Sequence, residues 1–138
     1  MSVVRLLALR DTPLDVAEVL AAVQDPAAGG VVSFTGLVRD HDGGRGVTEL
    51  EYEAHPGAQE AMAAVAERIA GELPVHALAA VHRTGLLAVG DVAVDTWWVS
   101  APYGDLPRRS SRTGSACTCI ARTGSARSGP VTSGRPGP

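Results

Sequence analysis

At 138 residues, 45% hydrophobic and 20% charged, the chain has the length and core-forming composition of one ordinary domain. It contains no run of about 18 apolar residues, which argues against a membrane-spanning helix, and its start, MSVVRLLALRDTPL, lacks the basic-then-apolar pattern of a secretory signal. The net charge of −3 hides a split: residues 1–103 carry 14 acidic residues and six arginines, which is −8, whereas residues 104–138 carry six arginines and Asp105, which is +5.

In chain order, VVRLLAL at 3–9 reads as a strand. DTPLDVAEVLAAVQD then predicts a helix, with Thr12 as cap, Pro13 in the first turn and Asp15 completing a capping-box-like pattern. Val16, Val19, Leu20 and Val23 recur at helical spacing and define its buried face. GVVSFTGLVR at 30–39 is a β-branched strand, followed by DHDGGRG at 40–46, a polar loop rich in glycine and long enough to move.

VTELEYEA alternates. Leu50, Tyr52 and Ala54 should face inward, and Glu49, Glu51 and Glu53 outward as a solvated face or a landing strip for a basic partner. HPGAQEAMAAVAERIAGEL predicts a second helix with Met62, Val65, Ile69 and Leu73 inside. HALAAVHRTG and DVAVDTWWVS are two further strands joined across LLAVGD, with Trp97 and Trp98 on opposite faces. The resulting order, β-α-β-β-α-β-β, predicts an α+β domain with a mainly antiparallel sheet and two helices over residues 1–103.

From Gly104 the pattern stops. Of the 35 residues to Pro138, 26 are Gly, Ser, Arg, Pro or Thr, a composition that cannot bury enough surface to offset the entropy of ordering it, so residues 104–138 are expected to be a disordered tail. Both cysteines, Cys117 and Cys119, lie there, one residue apart. That spacing makes a poor staple or metal site and sets a reducing, cytoplasmic expectation. The tail's arginines suit non-specific contact with nucleic acid, but no aromatic follows Tyr103 to stack bases, so nucleic acid is not the expected partner.

For chemistry, no P-loop, GxGxxG, HExxH or paired CxxC motif is present, and no metal or cofactor is expected. Arg39 ends a hydrophobic strand directly before the glycine-rich loop. A guanidinium there can grip a phosphate or carboxylate with two parallel hydrogen bonds, or pair locally with Asp40 or Asp42. His41 is either an accessory acid/base group or a solvated loop histidine. His82 and Arg83 read as a strand-end pair that satisfies backbone carbonyls or an interface.

FTGLVRDHDGGRGVTELEYEAHPG and VHRTGLLAVGDVAVDTWWVSAP, in this order and spacing, resemble the MoaE family, the large, catalytic subunit of molybdopterin synthase, from about Val3 to Pro102. The resemblance implies an α/β hammerhead-type fold and a homodimer. Each end of that dimer takes a ubiquitin-like small subunit of the MoaD type, forming a heterotetramer. The small subunit's C-terminal Gly-Gly tail enters the active site as a thiocarboxylate, and two sulfurs pass to cyclic pyranopterin monophosphate in molybdenum cofactor biosynthesis. It also implies that Leu37, Val38 and Arg39 belong to the substrate-binding motif. The family continues from SAP into a His-Arg pair, an amphipathic helix and a segment with two catalytic lysines. Here Tyr103 and Gly104 follow SAP, all 12 basic residues are arginine, and no catalytic residue is identifiable. Arginine is a poor substitute, because its pKa above about 12 bars proton exchange near neutral pH. The tail resembles a GC-rich gene read out of frame, which suggests a frameshift near the codon for Pro102. The expected function is therefore that of a molybdopterin synthase large subunit by descent, impaired in sulfur transfer. The alternatives are a non-catalytic module that dimerises and binds the small subunit, or an arginine-tailed protein with affinity for nucleic acid.

Overall fold

The computed structural model describes residues 2–42, 44–102 and 124–127, with only the backbone course at 42, 94–100 and 124–127. Its elements run β1 (Val4–Arg10), α1 (Val16–Ala22), β2 (Gly30–Leu37), β3 (His41–Asp42), β4 (Arg45–Gly46), β5 (Glu49–Tyr52), α2 (Ala58–Glu72), β6 (Ala77–Arg83), β7 (Gly85–Ala88), β8 (Val92–Ala101) and β9 (Gly124–Arg127). The main sheet has the order β1-β6-β8-β2, and a smaller sheet the order β7-β5-β9. β1 runs parallel to β6, and the other pairings are antiparallel. Two helices and a mainly antiparallel sheet are the α+β class that the sequence predicts.

The centre of the molecule is β6, where Ala77 to His82 are all buried. Strand alternation sends Ala77, Ala79 and Val81 toward Val19 of α1 and Val23 at its C-terminal cap, while Leu78 and Ala80 meet Met62 and Ala66 of α2. A strand covered on both faces has no solvated side, which is why its sequence is a continuous apolar run. Three of its six buried residues are alanines, and their small side chains let both helices approach closely. Burying Met62 and Leu78 fully contributes about 1.5–3 kcal/mol each. A third cluster, formed by Val38, Leu87 and Ala93 with Leu50 and Tyr52, fills the space under the smaller sheet.

Several local expectations need correction. α1 is capped by Asp15, not Thr12: its extended backbone (φ −98°, ψ 104°) lets the carboxylate accept from the nitrogens of Ala17 at 2.8 Å and Glu18 at 3.3 Å. That geometry satisfies two orphan donors of the first turn and places negative charge at the positive end of the helix dipole. α2 starts at Ala58, where His55 Nδ1 accepts from the nitrogen of Gly57 at 3.2 Å. Leu73, expected inside, is the residue after the helix and is exposed, while Ala66 takes the buried position. Residues 86–91, read as a connector, contain most of β7, because LLA pairs with β5. Ala54, expected to face inward, lies beyond the end of β5 and is exposed.

Within the tail expected to lack order, Gly124–Arg127 pairs antiparallel with β5, placing Glu49 opposite Arg127 and Tyr52 opposite Gly124. The open edge of β5 presents backbone donors and acceptors that any extended segment can satisfy, whatever its side chains. The other tail residues, including Tyr103, Cys117 and Cys119, and the orientations expected of the Trp97 and Trp98 side chains, lie outside what is described.

Candidate functional site

Three elements meet around Arg39: the end of β2, the ribbon that follows it, and the turn that joins β7 to β8. Leu37 is 60% exposed, Val38 is buried and Arg39 is exposed. Successive residues of an extended chain point to opposite sides, so burying Val38 turns its two neighbours outward. Val38 packs against Leu87 and Ala93. Its backbone is used as well: Val38 N donates to Asp91 O at 3.0 Å, and Gly90 N donates to Val38 O at 2.8 Å. Of the three residues expected to bind substrate, only Leu37 and Arg39 offer a side chain to a ligand; Val38 anchors them.

The loop expected to be free to move is a short ribbon. His41 pairs with Gly46 and Asp42 with Arg45, Gly44 has φ +80°, and Val47 N donates to Asp40 O at 2.8 Å. Positive φ strains any residue with a Cβ, so glycine suits the tip. Asp40 Oδ1 lies 2.7 Å from His41 Nδ1, and this hydrogen bond, followed by the charge of His41, holds the Asp40 carboxyl below its ordinary range. Both side chains are well exposed, so solvent weakens the pair. Arg39, Asp40 and His41 are thus consecutive exposed residues, the last two hydrogen-bonded to each other; a guanidinium can bind an anion, and an imidazole can exchange a proton.

Arg83 Nη1 donates to Asp91 Oδ2 at 3.0 Å, and Arg83 Nη2 donates to Leu86 O at 3.4 Å. His82 Nδ1 lies 2.7 Å from Arg83 O, and since a carbonyl only accepts, this nitrogen carries the proton. The strand-end reading of His82 and Arg83 therefore holds. Asp91 lies in the family-like stretch VHRTGLLAVGD, where the sequence assigns it no role, although its position after Gly90 is a usable turn signal. Glu49 and Glu51 of β5 are half-buried rather than a fully solvated face. Among the described residues, no group of three or more His, Cys, Asp or Glu could hold a metal ion, and no helix is long and apolar enough to cross a membrane.

Fold and site together define a mixed α+β protein with an arginine displayed at the end of an edge strand. The model of the MoaE protein family matches residues 9–102. The molybdopterin synthase catalytic subunit 1 of Mycobacterium tuberculosis is 46% identical over 96 residues, covering 69% of this chain and 65% of that protein. The molybdopterin synthase catalytic subunit of Halalkalibacterium halodurans is 34% identical over 88 residues, covering 63% and 56%. Among solved structures, molybdopterin synthase from Staphylococcus aureus superposes with a TM-score of 0.63 at 28% identity, covering 80% of this chain and 76% of that one. A complex of subunits 1 and 2 of molybdopterin-converting factor from Helicobacter pylori shares the fold, with a TM-score of 0.56 at 18% identity, covering 78% and 70%. The chain belongs to the MoaE family. It spans under two thirds of the length of these two curated relatives, and the family match stops at Pro102, where the composition changes.

Proposed function

We propose that this chain is a molybdopterin synthase large subunit by descent. In this reading it binds the phosphate of cyclic pyranopterin monophosphate through Arg39 and receives the C-terminal tail of a ubiquitin-like small subunit. As written, it transfers sulfur poorly or not at all. The observation that carries the reading is the exposed Arg39, set on a buried, doubly hydrogen-bonded Val38 inside the family-matching region. A guanidinium held at a fixed strand end offers two parallel donors to phosphate oxygens, the geometry in which arginine exceeds lysine. His41 stands close enough in sequence to serve as an accessory proton carrier.

Impairment rests on the side-chain inventory. Moving sulfur from a thiocarboxylate to a pterin carbon requires groups that give and take protons near neutral pH, and no lysine is present for that work. The rest of the family's activity, its homodimer and its small-subunit partner come to this chain by membership alone. The complex from Helicobacter pylori makes a two-subunit assembly a natural expectation here.

The test mixes the full chain with thiocarboxylated small subunit and cyclic pyranopterin monophosphate and measures dithiolene formation and substrate binding separately. Binding that is weakened at least tenfold by Arg39→Ala, with no dithiolene formed, supports the proposal. Substrate binding indifferent to Arg39→Ala would reject the phosphate reading, and dithiolene formation at a rate typical of relatives would reject the impairment. For the tail, we propose a frameshifted or replaced C-terminal part. Translating the coding DNA in all three frames from Thr96 onward decides this: a His-Arg pair, an amphipathic helix and a lysine-bearing segment in another frame identify the lesion.

A further inference from the structure

We propose that Arg83 and Asp91 are positioning residues for Arg39, acting through the backbone of Val38; the proposal rests on the reading of Arg39 as the phosphate-binding group. Asp91 Oδ2 accepts from two donors at once, Arg83 Nη1 at 3.0 Å and Ala88 N at 3.0 Å. Asp91 N also donates to Ala88 O at 3.1 Å, closing a four-residue turn whose third residue, Gly90, has φ +91°. That is the conformation a type II turn demands of its third position. The fork of Arg83, whose side chain is only 12% exposed, therefore ties the end of β6 to β7 at Leu86 and to the turn before β8 at Asp91.

With the turn held this way, Gly90 N and Asp91 O are aimed outward as a donor and an acceptor. Val38 occupies both of them, and its side chain packs in one buried cluster with Leu87 of β7 and Ala93 of β8, on either side of the turn. A residue held by its N–H, its C=O and its side chain fixes where the next Cα–Cβ bond points. The next residue is Arg39. Arg39 is exposed, and restricting its root lowers the entropy lost when its guanidinium closes on an anion. A bland rival exists, in which Arg83 and Asp91 merely stabilise the β7–β8 turn, and the two make different forecasts.

The experiment uses the full chain and two readouts. The first is ¹⁵N relaxation of the Arg39 Nε and the Val38 and Gly90 amides in wild type, Asp91→Ala, Asp91→Asn and Arg83→Lys. Each variant's fold is checked by a cooperative urea transition. Asp91→Ala should loosen Arg39 Nε together with the two amides, and Asp91→Asn, which keeps an acceptor oxygen, should restore most of the order. If Asp91→Ala fails to fold, Arg83→Lys carries the test, since a single ammonium cannot span Asp91 and Leu86 as the fork does. The second readout is affinity for cyclic pyranopterin monophosphate, expected to fall about tenfold in the loosened variant and to show no further loss when Arg39→Ala is already present. Unchanged Arg39 dynamics overturn the proposal. So does an affinity loss that persists undiminished in the Arg39→Ala background, which is the signature of a purely structural role. If Arg39→Ala alone leaves affinity intact, the phosphate reading falls, and the relaxation data judge the positioning claim by themselves.

Discussion

The ring of His82 meets the ring of Tyr52 edge to face, with centroids 5.4 Å apart and planes at 88°. This contact joins β6 of the main sheet to β5 of the smaller one. His82 is 1% exposed, donates from Nδ1 to Arg83 O, and leaves Nε2 buried without a hydrogen-bond partner. Its value is therefore packing plus one hydrogen bond. Replacing it with alanine should remove both and cost about 2–4 kcal/mol, read as a lower urea midpoint at unchanged slope. A loss under about 0.5 kcal/mol would show that the two sheets do not depend on this residue.

The cap assignment for α1 is testable by a pair of substitutions. Asp15→Ala should destabilise by about 1 kcal/mol, since two first-turn amides lose their acceptor. Thr12→Ala, exposed and ahead of the cap, should stay within about 0.5 kcal/mol of wild type. Equal effects in thermal melts would contradict the assignment.

Small residues on β6 set the separation of the helices. Ala79→Leu pushes into Val19 of α1 and Val23 at its C-terminal cap, and Ala80→Leu into Met62 and Ala66 of α2. Each should cost about 1–3 kcal/mol through overpacking rather than add apolar burial. A rise in melting temperature for either variant would mean that the helices stand further from the strand than the burial pattern indicates.

Acid titration should expose the Asp40–His41 contact. A carboxyl held below its ordinary value of 3.8 favours the native state above that pH, and the contribution disappears as pH falls through the lowered folded-state value. In His41→Ala the Asp40 side-chain carbon should titrate closer to the ordinary value, followed by NMR. The two side chains are exposed, so overall stability should hardly change. An Asp40 titration that ignores the substitution would remove His41 as the cause.

Gly90 offers a backbone test of the β7–β8 turn. No atom lies within 4 Å of where its Cβ would be, so Gly90→Ala meets no clash, yet φ +91° is strained for any L side chain. A loss of about 1–2 kcal/mol in urea denaturation is expected. A neutral result would show that the turn relaxes without penalty.

How much was legible beforehand follows from which interactions are local. Helical spacing of Val19 and Val23, the β-branched run of β2 and the apolar run of β6 express burial one residue at a time, so sequence alone determined the two helices, the principal strands and the α+β class. Two stretches in fixed order and spacing also sufficed for the family, and the lack of lysine is a property of composition. The pairing partners had to come from the tertiary structure. That β6 lies between β1 and β8, that LLA of β7 pairs with β5, and that Val38 is locked by Gly90 and Asp91 all depend on backbone groups, which every residue but proline carries alike. Such bonds leave no mark in side-chain identity. The sequence could therefore nominate Arg39, but only the packed β7–β8 turn behind it decided where that arginine stands.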